Sequence, residues 1–158
     1  MLKSDQQENG SGIRTEIYSQ VERRILIRSV FSYIEAITYS IKALILSDPD
    51  SSKLSEGEKV FASELTYDLK SNGDVVIRPT KIQLTSNVRF TFKIFSKIFG
   101  SWTELDTAGQ GWEYLQRSIK VRDRITHPKT SSDLAISDVE IVEAHHALNW
   151  FNSSSTQQ

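Results

Sequence analysis

Apolar positions recur at helical spacing through most of the chain. Between residues 13 and 46, Ile17, Val21, Ile25, Phe31, Ile34, Ile41 and Ile45 follow one another at steps of three, four or their sums, which predicts a long amphipathic helix. Ser47-Asp48-Pro49-Asp50 ends it, because proline lacks the backbone N–H and clashes with the preceding turn. A short helix is predicted over residues 56–65, with Ser55 as its cap. A third, over 87–99, carries Val88, Phe92, Phe95 and Phe99 on one face and stops at Gly100. A fourth runs over 107–126. The last opens on Ser137-Asp138-Val139-Glu140, a capping-box pattern, and continues through Ile141, Ala144, Leu148 and Phe151.

The texture changes between the second and third helices. Tyr67-Asp68-Leu69-Lys70 and Val75-Val76-Ile77-Arg78 flank Ser71-Asn72-Gly73-Asp74. Asn-Gly between extended runs signals a hairpin whose two central residues both take positive φ. The expected fold is therefore all-α: an antiparallel bundle of about five helices with a small β-hairpin inserted at residues 66–78. Residues 1–12 and 153–158 are polar and predict a disordered leader and tail around one domain at 13–152.

Composition narrows the function classes. The chain has 158 residues, 38% of them apolar and 25% charged, and a formal net charge of −1. That describes an ordinary soluble domain without a globally basic surface for nucleic acid. There is no cysteine, which excludes disulfides, thiolate metal sites and cysteine nucleophiles and suits a reducing cytoplasm. No uninterrupted apolar run reaches the roughly 18 residues of a membrane span, and the first ten residues lack the apolar stretch of a signal peptide.

Candidate chemistry lies in Arg122-Asp123-Arg124-Ile125-Thr126-His127 at the end of the fourth helix. At about 100° per residue, Trp112, Tyr114, Leu115, Ile119, Val121 and Ile125 fill one half of the helical wheel, and Arg122 falls near the middle of that half. Arg117, Lys120 and Arg124 fall on the solvated half. An arginine on an apolar stripe must be paired, or must line a cavity or an interface. His127 precedes Pro128, and a residue before proline is driven out of helical geometry, so its ring is free to turn back toward Arg122. A permanent cation beside a group that titrates near neutrality suits proton transfer on an anion, a phosphodiester above all.

Arg122-x4-His127, with polar Asp123 directly after the arginine, resembles the signature of HEPN domains, helical bundles of which many are metal-independent ribonucleases. The long first helix, the motif late in a helix and the closing helix agree more loosely with that architecture. The resemblance implies cleavage of RNA by its own 2′-hydroxyl to a cyclic phosphate, with no metal or other cofactor. It also implies a cytoplasmic homodimer in which two Arg-His sets line one cleft. In that reading Arg122 binds phosphate and stabilises charge, His127 moves a proton, and Asp123 supports them. Toxin, antiviral-defence or stress roles, and a regulatory or antitoxin protein partner, are further implications. One HEPN toxin subgroup carries a tyrosine two residues after the histidine, where a partner modifies it. Lys129 stands there in this chain, which argues against that mode of neutralisation. The alternatives are a non-catalytic module binding RNA, a nucleotide or a protein through the same cleft, and a purely structural role.

Other residues have weaker claims. Arg89, Lys93 and Lys97 are spaced as one ridge and, with Lys129, are candidate RNA contacts; an ordinary solvated face is the simpler reading of the ridge. Glu35 is a candidate buried partner for Arg122, or else lies at the edge of its stripe in water. His145 and His146 point about 100° apart on a helix and make a poor metal pair, and Glu143 and His146 lack a second pair to complete a site. Trp102, Trp112 and Trp150 read as core or interface aromatics.

Overall fold

The computed structural model describes residues 18–100 and 105–156. Five α-helices and one hairpin follow in order: α1 Gln20–Ser47, α2 Glu56–Ala62, β1 Leu65–Leu69, β2 Val75–Pro79, α3 Leu84–Phe99, α4 Gln110–Thr126 and α5 Asp138–Thr156. The expected bundle with its inserted hairpin is what forms. Short 3-10 turns at Pro49–Lys53 and Ser131–Leu134 link α1 to α2 and α4 to α5. The expected leader and Trp102 lie outside the described residues.

Helix α1 starts on a capping box. Ser19 Oγ accepts from the Glu22 amide at 3.3 Å, and Glu22 Oε2 accepts from the Ser19 amide at 2.7 Å. Its buried face holds Ile27, Val30, Phe31, Ile34 and Ile45, together with Arg23, Thr38 and Lys42. Val21 and Ile25, expected on that face, are 57% and 56% exposed. Six residues of helix turn through about 600°, so Ile25 points about 120° away from Phe31 and the two cannot share a face. By length and hydropathy α1 is apolar enough to cross a membrane, which the absence of an uninterrupted apolar run conceals. Its apolar side is used otherwise: Ile27, Phe31 and Ile34 are sealed in the core with residues of α3, α4 and α5.

Four boundaries differ from expectation. Helix α2 ends at Ala62, where the chain turns into β1 through Glu64 at φ 57°. Helix α3 begins at Leu84 and α4 at Gln110. Helix α5 runs to Thr156, into the expected tail, and the hydroxyls of Ser153 and Ser154 bond back to Asn149 and Trp150 carbonyls at 2.9 Å.

The hairpin pairs Leu65 with Pro79 through Leu69 with Val75. Its loop differs from the expected two-residue turn. Of Asn72 and Gly73 only the glycine has positive φ, at 88°. Gly73 N–H bonds to Lys70 O and Lys70 N–H to Asp74 O, both at 2.9 Å. This is a three-residue loop closed by a left-handed glycine.

Helices α4 and α5 run antiparallel, so Trp112 meets Trp150 near one end while Arg124 meets Glu140 at the other. Gly111 lets them approach: a Cβ there would lie 2.1 Å from Trp150 Cδ1.

Candidate functional site

The buried stripe of α4 is Trp112, Leu115, Ser118, Val121 and Ile125. Arg122 sits at its margin rather than near the middle of the apolar half, with its side chain 25% exposed, because the buried stripe runs through Ser118 and Val121 instead. Its guanidinium lies over the Phe31 ring, 5.1 Å from the centroid. Nη1 donates to Glu35 Oε1 at 2.6 Å, and Nε and Nη2 donate to Asp123 Oδ1 at 3.2 and 3.1 Å. The candidate pairing with Glu35 forms, but the carboxylate is 53% exposed and so is not a buried partner; it lies at the stripe's edge, as the other reading had it. Position 35 lies at the open flank of α1, next to buried Ile34 rather than among the core residues.

His127 is the C-cap of α4. Its backbone has left the helix at φ −125° and ψ 59°, as the following proline requires, while its N–H still bonds to Asp123 O at 2.9 Å. The ring is exposed. Arg122, Asp123 and His127 border one open cavity of about 390 Å³, together with Arg28, Ser32 and Thr126. No hydrogen bond joins Arg122 to His127 among the described residues; they meet across the cavity.

Arg28 is the residue that sequence reasoning missed. Its Nη2 makes one long bond, 3.4 Å to Ile125 O, and no ion pair of Arg28 occurs among the described residues. The signal was its position seven residues before Glu35, which places both on one line of α1. The cavity thus has two guanidiniums, an imidazole, the hydroxyls of Ser32 and Thr126, and the carboxylates of Glu35 and Asp123. Thr126 Oγ1 donates to Arg122 O at 2.7 Å. Such a wall can neutralise an anion's charge and exchange a proton with it.

The other motif arginine is no solvated bystander. Arg124 Nη1 and Nη2 bond to the two oxygens of Glu140 at 2.8 and 3.2 Å, and Nε and Nη2 reach the carbonyls of Asp133 and Ala135 at 3.1 and 2.7 Å. Burial alone would raise the Glu140 carboxyl, but Arg124 and the Ser137 amide hold it below its ordinary value, while Glu140 raises Arg124. The loop after His127 is also tied to α1. Gln20 exchanges hydrogen bonds with the Ile136 backbone at 3.0 and 2.8 Å, Arg24 bonds to Leu134 O, and Arg23 bonds to Ile136 O and pairs with Asp138. These contacts fix where the chain emerges from His127.

The remaining candidates disperse. Lys97 is paired with Glu58 at 2.7 Å, which lowers the Glu58 carboxyl, so the Arg89–Lys93–Lys97 ridge does not act as one cationic track. Arg89 lies over the Trp112 ring at 4.6 Å, and with Lys93 it borders a separate cavity of about 380 Å³. Lys129 is exposed just beyond the motif, its backbone N–H held by Asp133 at 2.8 Å. His145 Nδ1 faces Ile141 O at 2.9 Å, whereas His146 stacks on Tyr114 at 5.0 Å, and Glu143 is taken by Arg117 at 2.9 Å. Trp112 is buried in the core.

A second cavity, of about 580 Å³, adjoins the first and shares Glu35 and Arg122 with it. Lys42 lies beneath it on the buried face of α1 and is fully enclosed. Its Nζ donates to Glu64 Oε1 at 2.7 Å and to Asn87 Oδ1 at 2.9 Å. Lys42 was legible by the reasoning applied to Arg122, since it falls eight residues after Ile34 and three before Ile45.

No known protein family matches the chain, and neither a curated protein nor a solved structure is significantly similar to it.

Proposed function

We propose that the protein is a metal-independent endoribonuclease of HEPN type, working in the cytoplasm as a homodimer. The observation that carries this reading is the shared cavity: Arg122 and His127 border it together, with Arg28 as a second cation. The RNA 2′-oxygen forms a bond to the adjacent phosphorus while the bond to the 5′-oxygen breaks. One group must take the 2′ proton and another must supply a proton to the leaving oxygen. A single imidazole in the cavity suits one of these transfers, and the same residue of a second copy suits the other. Arg122 and Arg28 neutralise the charge gathering on the phosphate. Exposed Val21 and Ile25 form an apolar strip on the α1 line that continues through Arg28 to Glu35. A second copy seated on that strip would bring its own motif toward this cavity.

The test is incubation of the purified chain with mixed RNA, with and without chelator. Cleavage should persist in chelator and leave cyclic-phosphate ends. It should fall by about 10²-fold or more in His127→Ala and in Arg122→Ala, with both variants folded. Full activity in folded His127→Ala would remove His127 from the reaction. The second reading, a binding module without turnover, is favoured by one feature: Glu35 and Asp123 already occupy three N–H groups of Arg122. It predicts RNA binding that depends on Arg122, with no cleavage at all.

A further inference from the structure

The Lys42–Glu64–Asn87 arrangement requires an explanation beyond packing. Lys42 is fully enclosed while the side chain of its partner Glu64 is 41% exposed, so the pair reaches from the core to the cavity wall. Glu64 also sits at φ 57°, the single non-glycine residue in the left-handed region among the described residues. It stands just past the end of α2, where glycine would relieve that strain. That turn holds Glu64 at the corner where α2 gives way to β1, at the wall of the second cavity.

What the arrangement offers follows from donor and acceptor chemistry. An ammonium only donates. Lys42 therefore takes the carbonyl oxygen of Asn87 and one oxygen of Glu64. That leaves the Asn87 amide N–H groups and Glu64 Oε2 for other partners. Both residues line the second cavity and Lys42 does not. The cavity wall thus carries an acceptor carboxylate and a donor amide side by side, held in register by one buried cation. Tyr39, 59% exposed, borders the same space with an aromatic face, and the volume is that of a small-molecule site.

We propose that this cavity is a base subsite that selects guanine beside the phosphate held at Arg122 and His127; the assignment rests on the ribonuclease reading above. Of the four RNA bases, guanine alone offers two adjacent N–H donors, at N1 and N2, next to a carbonyl acceptor, O6. Glu64 Oε2, the oxygen that Lys42 leaves free, accepts from both adjacent donors, and Asn87 donates to O6. Adenine and cytosine place a ring acceptor where guanine has N1–H, and uracil has one donor between two carbonyls. The neighbouring cavity, where Arg28 joins Arg122, takes the phosphate. Because Arg122 borders both cavities, one nucleotide spans them.

The experiment measures binding of the four ribonucleoside 3′-monophosphates to the full chain by calorimetry, alongside mapping of cleavage sites in mixed RNA. The guanosine nucleotide should bind at least about tenfold more tightly than the adenosine one, the discrimination expected of a bidentate contact. Glu64→Gln should abolish that preference. Arg122→Ala should weaken all four nucleotides alike and leave the ranking intact. Since Glu64→Gln leaves Lys42 without its counter-charge, a Lys42→Met/Glu64→Gln double variant, checked by circular dichroism, gives the same readout in a repaired core. Equal binding of all four bases, a preference that survives in the double variant, or no nucleotide binding at all overturns the base subsite. Cleavage without base preference would overturn it while the roles of Arg122 and His127 stand. Guanine-selective binding without any cleavage would keep the subsite and sink the nuclease.

Discussion

Arg122 Nη1 and Glu35 Oε1 lie 2.6 Å apart, and both residues border both cavities. Glu35 therefore competes with any phosphate for the same guanidinium. Glu35→Gln should tighten binding of an RNA blocked at its 2′-hydroxyls by about fivefold, the equivalent of about 1 kcal/mol for a half-exposed pair. Fluorescence anisotropy at fixed salt reads this directly. Unchanged or weaker binding would mean that phosphate does not meet Arg122.

Two arginines two residues apart should behave oppositely. Arg124 holds Glu140 and two loop carbonyls, so Arg124→Ala should lose about 2–3 kcal/mol of stability in urea unfolding. Arg122→Ala removes a partly exposed pair and should lose about 1 kcal/mol or less. Any RNA cleavage should show the reverse ranking once both variants are compared as folded protein.

Acid should destabilise the fold through specific carboxylates. Lys97 and the Ser55 amide lower Glu58. At Glu140, Arg124 and the Ser137 amide outweigh the opposing effect of burial. Backbone amides of Thr130 and Lys129 lower Asp133. Folded values below the unfolded ones mean that this stability is present above the ordinary 4.5 of glutamate and 3.8 of aspartate, and is lost as pH falls through the folded values. The melting temperature should stay level between about pH 5 and 7 and drop below about pH 4. Glu140→Gln should make that acid limb shallower, with its loss already present at neutral pH.

Gly111→Ala should destabilise the chain even though alanine favours helix. The new Cβ would meet Trp150 Cδ1 at 2.1 Å and Cγ at 2.3 Å, so α4 and α5 must move apart. A loss of about 1–3 kcal/mol is expected for such overpacking, read from the urea midpoint. A stabilised variant would show that the helices can separate freely.

The elements were legible because local physics decides them. Ser55 and Glu58, and Ser137 and Glu140, cap their helices through bonds within four residues of chain. Pro128 dictates the backbone of His127, and Gly100 takes the left-handed turn that ends α3. Errors arose where the deciding atoms lie far away in sequence. Ile25 shows a step pattern that suits burial, but which arc of α1 faces the core depends on α3, α4 and α5, and they take the arc through Ile27 and Phe31.

The chain itself determined a helical bundle with one hairpin, an arginine on the apolar half of a helix and a histidine freed by proline. Tertiary structure alone decided what surrounds them. Arg28 and Glu35 reach Arg122 from a helix more than eighty residues earlier. Arg124, solvated on an isolated wheel, becomes an anchor because the chain after Pro128 folds back over it. Lys42, Glu64 and Asn87 come from three separate elements and meet only when α1, the α2–β1 corner and α3 pack together. Spacing along one helix records which residues share a face. The partners that meet that face, and the charges they carry, are set by contacts between distant segments, and a single local pattern does not encode them.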